Sequence, residues 1–212
     1  DGGALDVPVY RKCVDGNGNV TYERASSEWL LADPNSTVEW FKGAVANQGS
    51  QLRRMVKLVK AWSKSRRGWN MPTGYFLSIL VWEAYSGIVA KDDRDDEAFY
   101  LVLKSMLSRL DSSLIIRDPV SNDQVTKTSS EASVRDLREE LPVAIALLEK
   151  FMDESCTEAD AMKTFKSIFN TSHFDAALAT IAVTDKKIGF TTSGAGTPQR
   201  SVTKSEQTNT FG

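Results

Sequence analysis

The sequence predicts an α+β protein that is mainly a helical bundle preceded by a β-hairpin. Residues 49–85 contain two helix patterns joined by a short loop. Residues 4–26 form two extended stretches around a cluster of turn residues, which is typical of a hairpin. Helix patterns return at 97–110, at 130–154 and after residue 157. With 212 residues, 41% of them hydrophobic and 25% charged, the chain suits one large globular domain or two small ones.

The composition excludes some classes of function. A formal net charge of −2 argues against a protein whose main task is to coat nucleic acid, although it allows a local basic groove. The longest apolar run, residues 75–82, is too short to span a bilayer, so we expect no membrane partner. Cys13 and Cys156 form no C-x-x-C pair and are predicted to be reduced thiols of a cytoplasmic protein.

The N-terminal segment is predicted to be a hairpin. Residues 4–10 are extended, residues 15–19 (D-G-N-G-N) form the turn, and residues 20–23 return as a strand. Asp6 lies between apolar residues, where a carboxylate needs a metal, a cation or solvent. Two interpretations of Asp6 remain open: an edge-strand acid facing water, and a ligand.

Residues 27–48 are predicted to connect the hairpin to the bundle. Residues 30–34 are expected to form a turn, and S-T-V-E at 36–39 matches a capping box that opens a short helix. Trp40 and Phe41 on this helix are expected to lie in the core.

The two helices within residues 49–85 dominate the rest of the prediction. In the first, the apolar side chains fill one arc, and the basic residues Arg53, Lys57, Lys60 and Lys64 collect on the opposite side. Pro72 and Thr73 stand where helices begin, so they predict the start of the second helix. A helix start offers unpaired N–H groups and the positive end of a dipole. A lysine face beside it would suit a polyphosphate, and a solvated basic face is the alternative.

Other acidic and polar segments are predicted to be structural. Asp93-Arg94-Asp95 spells D-x-D, but it lies on a loop between helices, so we expect it to favour the N-terminus of the next helix, at 97–110. Arg117 and Asp118 lie in the apolar-to-polar segment 113–127, for which a structural turn is predicted.

The C-terminal half is predicted to contain two further helices and a flexible tail. Pro142 falls within the helix pattern at 130–154, so a kink or break is expected there. Thr157 is expected to start the next helix. The single histidine, His173, is expected to be structural, since neither a His/Cys metal cluster nor a Ser-His-Asp set is present. From residue 189 onward the composition is small and polar, which is typical of a flexible tail.

Three segments carry a family resemblance. They are L-D-V-P-V-Y at 5–10, K-A-W at 60–62 and P-T-G-Y-F at 72–76. Together they resemble the oligoadenylate synthase and cGAS superfamily, and within it the bacterial cGAS/DncV-like nucleotidyltransferases (CD-NTases), which make cyclic oligonucleotide signals in anti-phage (CBASS) defence. The resemblance implies that residues 1–28 end a catalytic nucleotidyltransferase sheet. It also implies an oligoadenylate-synthase-like helical domain at 29–188, followed by the tail at 189–212.

The resemblance also implies site residues and a cofactor. The position of Lys60 contacts the donor triphosphate in that family, that of Thr73 contacts phosphate, and that of Tyr75 lies against the nucleotide. Asp6 would be the third catalytic carboxylate and a ligand of Mg²⁺ or Mn²⁺. The segment that contains Arg117 and Asp118 would lie near the base, which makes both residues weak site candidates.

Further implications concern the parts outside the matching segments. No Gly-Ser phosphate loop and no upstream paired Asp match the family, so we expect the C-terminal part of a longer enzyme, inactive without a missing N-terminal half. The substrates would be ATP or other nucleoside triphosphates. Gly212 ends a slim tail, as in family members whose tail is conjugated by a ubiquitin-transfer-like (E1/E2-type) partner. The alternative is a non-catalytic helical module that docks a protein or RNA partner.

Overall fold

A small sheet and a helical bundle make up the described part of the molecule. The computed structural model describes residues 9–25, 29–31, 33–88, 94–153 and 155–181. The sheet is antiparallel, in the order β1-β2-β3, and consists of Tyr10–Val14, Val20–Arg24 and Leu30–Leu31. The helices that follow are α1 (Pro34–Gln48), α2 (Ser50–Ser63), α3 (Gly74–Tyr85), α4 (Asp95–Ser112), α5 (Thr128–Leu148), α6 (Glu158–Phe169) and α7 (Asp175–Thr180). The predicted α+β class, mainly helical and preceded by a hairpin, is confirmed.

The hairpin closes around the predicted turn. Asp15 accepts hydrogen bonds from the backbone N–H groups of Asn17 and Asn19, which fixes the chain reversal. Beyond the hairpin, the prediction of a turn at residues 30–34 is wrong for its first part, because Leu30–Leu31 pairs with β2 as a third strand. A two-residue strand is too short to show an alternating pattern, so the sequence carries no local signal for it.

Helix α1 begins earlier than the sequence predicts. Its N-cap is Asp33, whose carboxylate accepts from the N–H of Asn35 at 2.9 Å, so the helix starts at residue 34. The prediction of a capping box at 36–39 is therefore wrong: Asp33 and Ser36 are both good cap residues, and the helix starts at the upstream aspartate. Trp40 and Phe41 pack against the core, as predicted.

The core lies where α2, α3, α4 and α5 meet. The predicted apolar arc of α2 is buried, apart from the half-buried Leu58. Gln51 is also fully buried, which the apolar pattern did not predict. Its side chain accepts from the hydroxyl of Tyr85 at 2.9 Å and donates to Asp95 at 3.0 Å, so it ties α2 to α3 and α4.

The D-x-D segment has the structural role that the sequence predicts for Asp95. That carboxylate lies in the first turn of α4 and accepts from Arg54 Nε at 2.7 Å, while Arg94 pairs with Asp96. Asp93 lies outside the described residues. Helix α4 spans Asp95–Ser112, slightly longer than predicted.

Helix α5 runs through Pro142 without a break. The proline ring is exposed, while its neighbours Leu141 and Ile145 are buried in the core. Tertiary packing of the buried face therefore outweighs the hydrogen bond that proline removes, and a break at this residue is not observed. The helix ends at Leu148 and is followed by a short 3₁₀ turn, Glu149–Met152.

Thr157 starts α6, as predicted, and forms a capping box with Asp160. His173 is exposed and packs edge-on against Phe174 before α7. None of the helices in the described ranges is both long and apolar enough to span a membrane. The predicted boundaries at residues 28 and 188 fall outside the described residues and stay predictions.

Candidate functional site

The end of helix α2 lies against the start of helix α3. A methyl group built on Gly74, the first residue of α3, would lie 3.4 Å from Cε of Lys60 and 3.6 Å from its Nζ. Lys60 is in the last turn of α2 and is half-buried, whereas Arg53, Lys57 and Lys64 of the same basic face are exposed. The structure therefore brings one lysine of the predicted face to the start of the next helix.

Thr73 is the N-cap of α3, as the sequence predicts. Its hydroxyl accepts a long hydrogen bond of 3.5 Å from the N–H of Phe76, and the hydroxyl itself is exposed. The N–H groups of Gly74 and Tyr75 have no acceptor within the helix, because no earlier helical turn supplies carbonyl groups to the first turn. Since Gly74 has no side chain, a ligand can approach these groups closely.

The electrostatics of this junction are unfavourable without an anion. The ammonium of Lys60 forms no ion pair or hydrogen bond with the residues that the structure describes. Burial lowers the pKa of Lys60, and the nearby charge of Lys64 lowers it further. The ammonium also faces the positive end of the α3 dipole. Two positive groups side by side, one of them half-buried, form a site that an anion would stabilise.

Tyr75 stands in the first turn of α3, next to this junction. Its hydroxyl donates to Oδ2 of Asp118 at 2.7 Å, and its ring packs edge-on against Trp40, with centroids 6.4 Å apart. Burial raises the pKa of Tyr75 to about 12, with a further contribution from the hydrogen bond to Asp118. The phenol is therefore neutral at physiological pH. Its hydroxyl is held by Asp118, and its ring packs against Trp40.

Asp118 organises the loop that reaches Tyr75. Its Oδ1 accepts from the N–H groups of Val120 and Ser121, at 2.8 and 3.1 Å. Burial acts to raise the pKa of Asp118, but the hydrogen bonds from Tyr75 and from these two amides outweigh burial and lower it. Arg117, the other weak candidate, is exposed and donates to the carbonyl of Asn122, so it supports the predicted turn.

The loop between α2 and α3 is fixed to the bundle. Arg66 donates to the carbonyls of Ser167 and Ile168 at the C-terminal end of α6. Farther along the loop, Asn70 donates to Asp136 of α5 at 2.9 Å. These anchors hold the chain that joins the two halves of the junction.

A cavity of about 70 Å³ lies beneath the same loop. Its walls come from α2, the loop, α5 and α6, and are formed by Trp62, Arg66, Trp69, Glu140, Val143, Ala144, Leu147 and Ile168. This volume is far below the roughly 300–1,000 Å³ of typical ligand pockets, and none of the predicted site residues lines it. We assign it no part in nucleotide binding.

Two predicted site residues lie outside the described part of the chain. These are Asp6, the expected metal ligand, and Gly212, the expected conjugation residue. Within the described ranges, no group of three His, Cys, Asp or Glu side chains could hold a metal ion. The described residues include Lys60, Thr73 and Tyr75, whose part in phosphate or nucleotide binding stays a prediction, as does the metal side of the site.

Sequence patterns missed two features of the site. The periodicity placed the basic face of α2 beside the start of α3 but did not indicate which of its residues contacts Gly74, although the glycine directly after a cap residue was a visible signal for close approach. The bond between Tyr75 and Asp118 links residues 43 positions apart, and no local pattern indicates it.

Comparison with solved structures shows that the fold of this chain is a known one. No family model matches the chain. The apo form of Vibrio cholerae DncV superposes with a TM-score of 0.66 at 20% identity, over 82% of this chain and 47% of DncV. The chain shares the DncV fold. DncV bound to the linear intermediate 5′ pppA(3′,5′)pG, a cyclic AMP-GMP synthase, gives a TM-score of 0.62 at 17% identity, covering 76% and 42% of the two chains.

The chain is also similar in sequence to a cyclic nucleotide synthase. A cyclic GMP-AMP synthase of Escherichia albertii is 23% identical over 133 residues, which is 60% of this chain and 28% of the relative. The chain thus spans less than half the length of these proteins. The predicted resemblance to cGAS/DncV-like nucleotidyltransferases is confirmed over this part.

Proposed function

We propose that the chain is part of a cyclic oligonucleotide synthase and supplies the groups that hold a nucleoside triphosphate. The observation that carries the proposal is the junction of Lys60 with the start of α3. A half-buried ammonium without a carboxylate partner among the described residues lies beside a helix N-terminus. A triphosphate placed there would receive a charge-assisted bond from Lys60 and bonds from the free N–H groups of α3. The DncV fold makes a nucleotide the best candidate for this anion.

Each described residue would have a separate task in such a site. Lys60 would neutralise phosphate charge, and the exposed hydroxyl of Thr73 would add a hydrogen bond. Tyr75, whose neutral ring stands in the first turn of α3, would lie against the nucleotide. Together they would orient the triphosphate so that its α-phosphate faces the attacking hydroxyl.

The metal side of the site belongs to the same proposal. Asp6 would be one of three carboxylates that hold Mg²⁺ or Mn²⁺, and the other two would come from residues outside these 212. A bound divalent ion would supply Lewis-acid activation of the attacking hydroxyl and stabilise the leaving pyrophosphate.

The substrates and the biological role are further parts of the proposal. The intermediate held by DncV carries a 5′-triphosphate, which supports ATP or other nucleoside triphosphates as substrates here. We further propose a cytoplasmic enzyme of anti-phage (CBASS) signalling whose tail is conjugated through Gly212 by a ubiquitin-transfer-like partner.

The test of the synthase uses the full-length gene product with ATP, GTP and Mg²⁺. We expect the wild type to form a cyclic oligonucleotide, Asp6→Asn to abolish the product, and Lys60→Ala to raise the KM for nucleotide about tenfold or more. Lys57→Ala is the matched control, because Lys57 is exposed one turn earlier on the same face. No product from the wild type, or normal turnover by Asp6→Asn, would overturn the proposal.

The tail is tested separately. Deleting Phe211 and Gly212 should abolish covalent attachment to other proteins in cells that also contain the partner enzyme, while cyclic product formation stays normal. If conjugation persists after the deletion, Gly212 is not the conjugated residue.

A further inference from the structure

The hydroxyl of Tyr75 is held by a carboxylate from a distant loop. Tyr75 lies in the first turn of α3, and Asp118 lies in the loop between α4 and α5, with 2.7 Å between the phenol oxygen and Oδ2. The ring of Tyr75 also packs against Trp40 of α1. A phenol held by a hydrogen bond and by ring packing has one preferred orientation.

The loop that contains Asp118 is itself tightly closed. The backbone N–H of Asp118 donates to the carbonyl of Asp123 at 2.7 Å, and the N–H of Asn122 donates back to the carbonyl of Asp118 at 2.8 Å. At the base of the loop, the hydroxyl of Thr126 accepts from the N–H of Ile116 at 2.8 Å, and both residues are buried. The carboxylate is therefore fixed by its own loop before it meets Tyr75.

These hydrogen bonds indicate which of the two residues, Asp118 or Tyr75, positions the other. Oδ1 of Asp118 is occupied by the amides of Val120 and Ser121, and Oδ2 accepts from Tyr75. The tyrosine has rotational freedom about its side-chain bonds, whereas the carboxylate is held by two backbone groups. The loop thus fixes the phenol through Oδ2 of Asp118, and Tyr75 directly follows Gly74 in the first turn of α3.

We propose that Asp118 is a positioning residue, which fixes the phenol of Tyr75 beside the proposed triphosphate site and thereby sets nucleotide affinity. The proposal rests on the proposed function. Asp118 acts through Tyr75 and does not itself touch the nucleotide. Loss of its carboxylate frees the ring, so nucleotide binding has to order it again, at a cost in conformational entropy. The expected effect is on KM, with kcat nearly unchanged.

A double-mutant cycle tests the proposal in the full-length gene product. We expect Asp118→Asn and Tyr75→Phe each to raise the KM for ATP several-fold, and the double variant to be no worse than Tyr75→Phe alone. Asp123→Asn is the matched control, because it removes the same charge from the same loop, and it should leave KM within about twofold of the wild type. If the two effects multiply in the double variant, Asp118 acts independently of Tyr75 and the proposal is wrong.

A second readout does not depend on activity. The ionisation of Tyr75 is followed by ultraviolet absorbance, as the difference between each protein and the same protein with Tyr75→Phe. We expect Asp118→Asn to lower the pKa of Tyr75, because the substitution removes the negative charge that disfavours the phenolate. An unchanged pKa would mean that the hydrogen bond is not made in solution, and would overturn the proposal.

The outcome for Lys60→Ala separates this proposal from the proposed function. If Lys60→Ala raises the KM and Asp118→Asn does not, the positioning role fails while the triphosphate site stands. If neither variant changes the KM, the proposed function fails, and the positioning role fails with it.

Discussion

The aliphatic end of Lys60 lies against the backbone of Gly74, so the last turn of α2 and the first turn of α3 meet without a side chain between them. A methyl group at this position would make an ordinary van der Waals contact with Cε, so the space beside Gly74 is about one methyl group wide. The contact holds the ammonium beside unpaired N–H groups, and the following predictions depend on that arrangement.

A branched side chain at residue 74 should displace Lys60. We expect Gly74→Val to lower the affinity for ATP about tenfold, because the flexible lysine moves away to avoid the valine. The measurement is calorimetric titration of ATP into the full-length gene product. Gly43→Val is the control, since Gly43 is also helical but has open space where a Cβ would be added. Equal affinities for Gly74→Val and the wild type would contradict the assignment.

Removing the charge of Lys60 should stabilise the protein in the absence of nucleotide. Methionine keeps the aliphatic chain and removes an ammonium that lies beside the positive end of a helix. We expect Lys60→Met to raise the free energy of unfolding by a few tenths to about 1 kcal/mol at neutral pH. Denaturant unfolding measures it, and a clear loss of stability would show that Lys60 is satisfied in the unliganded protein.

The difference in the free energy of unfolding between the wild type and Lys60→Met should depend on pH. The pKa of Lys60 is lowered in the folded state, so the folded protein releases this proton before the unfolded chain does. The destabilisation by the ammonium is fully present below the lowered pKa and disappears as the pH rises toward the unfolded value, near 10.5. We expect the stability curves of the wild type and Lys60→Met to converge over this range. A constant gap would contradict the pKa shift.

Tyr75 should make the protein sensitive to alkali in a way that Tyr75→Phe is not. Burial raises the folded-state pKa of Tyr75 to about 12 from its ordinary value of 10.0. Its contribution to stability is therefore complete below pH 10 and is lost as the pH rises through the folded-state pKa. Urea unfolding at several alkaline pH values should show a steeper loss of stability for the wild type. Parallel curves would mean that Tyr75 ionises normally.

The buried Gln51 should be needed for stability but not for nucleotide affinity. Gln51→Leu removes the acceptor of the Tyr85 hydroxyl and the donor to Asp95. We expect a loss of about 1–3 kcal/mol in the free energy of unfolding. Because these bonds are made in the helix interface, the KM for ATP should stay unchanged at temperatures where the variant is folded. A marked rise in KM would connect this network to the site.

The sequence was sufficient where structure follows from local chemistry. The basic face of α2 follows from helical periodicity, and Thr73 follows from the preference for hydroxyl residues at helix starts. Their proximity could be predicted because only a short loop joins the two helices. The overall class followed in the same way, from patterns confined to single elements.

The sequence was insufficient where two local signals competed or where partners are distant. Asp33 and Ser36 are both good cap residues, and only the structure shows that the aspartate begins α1. Pro142 breaks helices in isolation, but the buried face of α5 overrides it. The bond between Tyr75 and Asp118 depends on how α3 meets a loop that follows α4, which no single-element pattern contains.

The most direct test of the triphosphate site is a crystal structure of the full-length gene product with a non-hydrolysable ATP analogue. We predict phosphate oxygens within hydrogen-bonding distance of Nζ of Lys60 and of the hydroxyl of Thr73. A triphosphate bound elsewhere, with the Lys60 ammonium still unpaired against Gly74, would contradict the account.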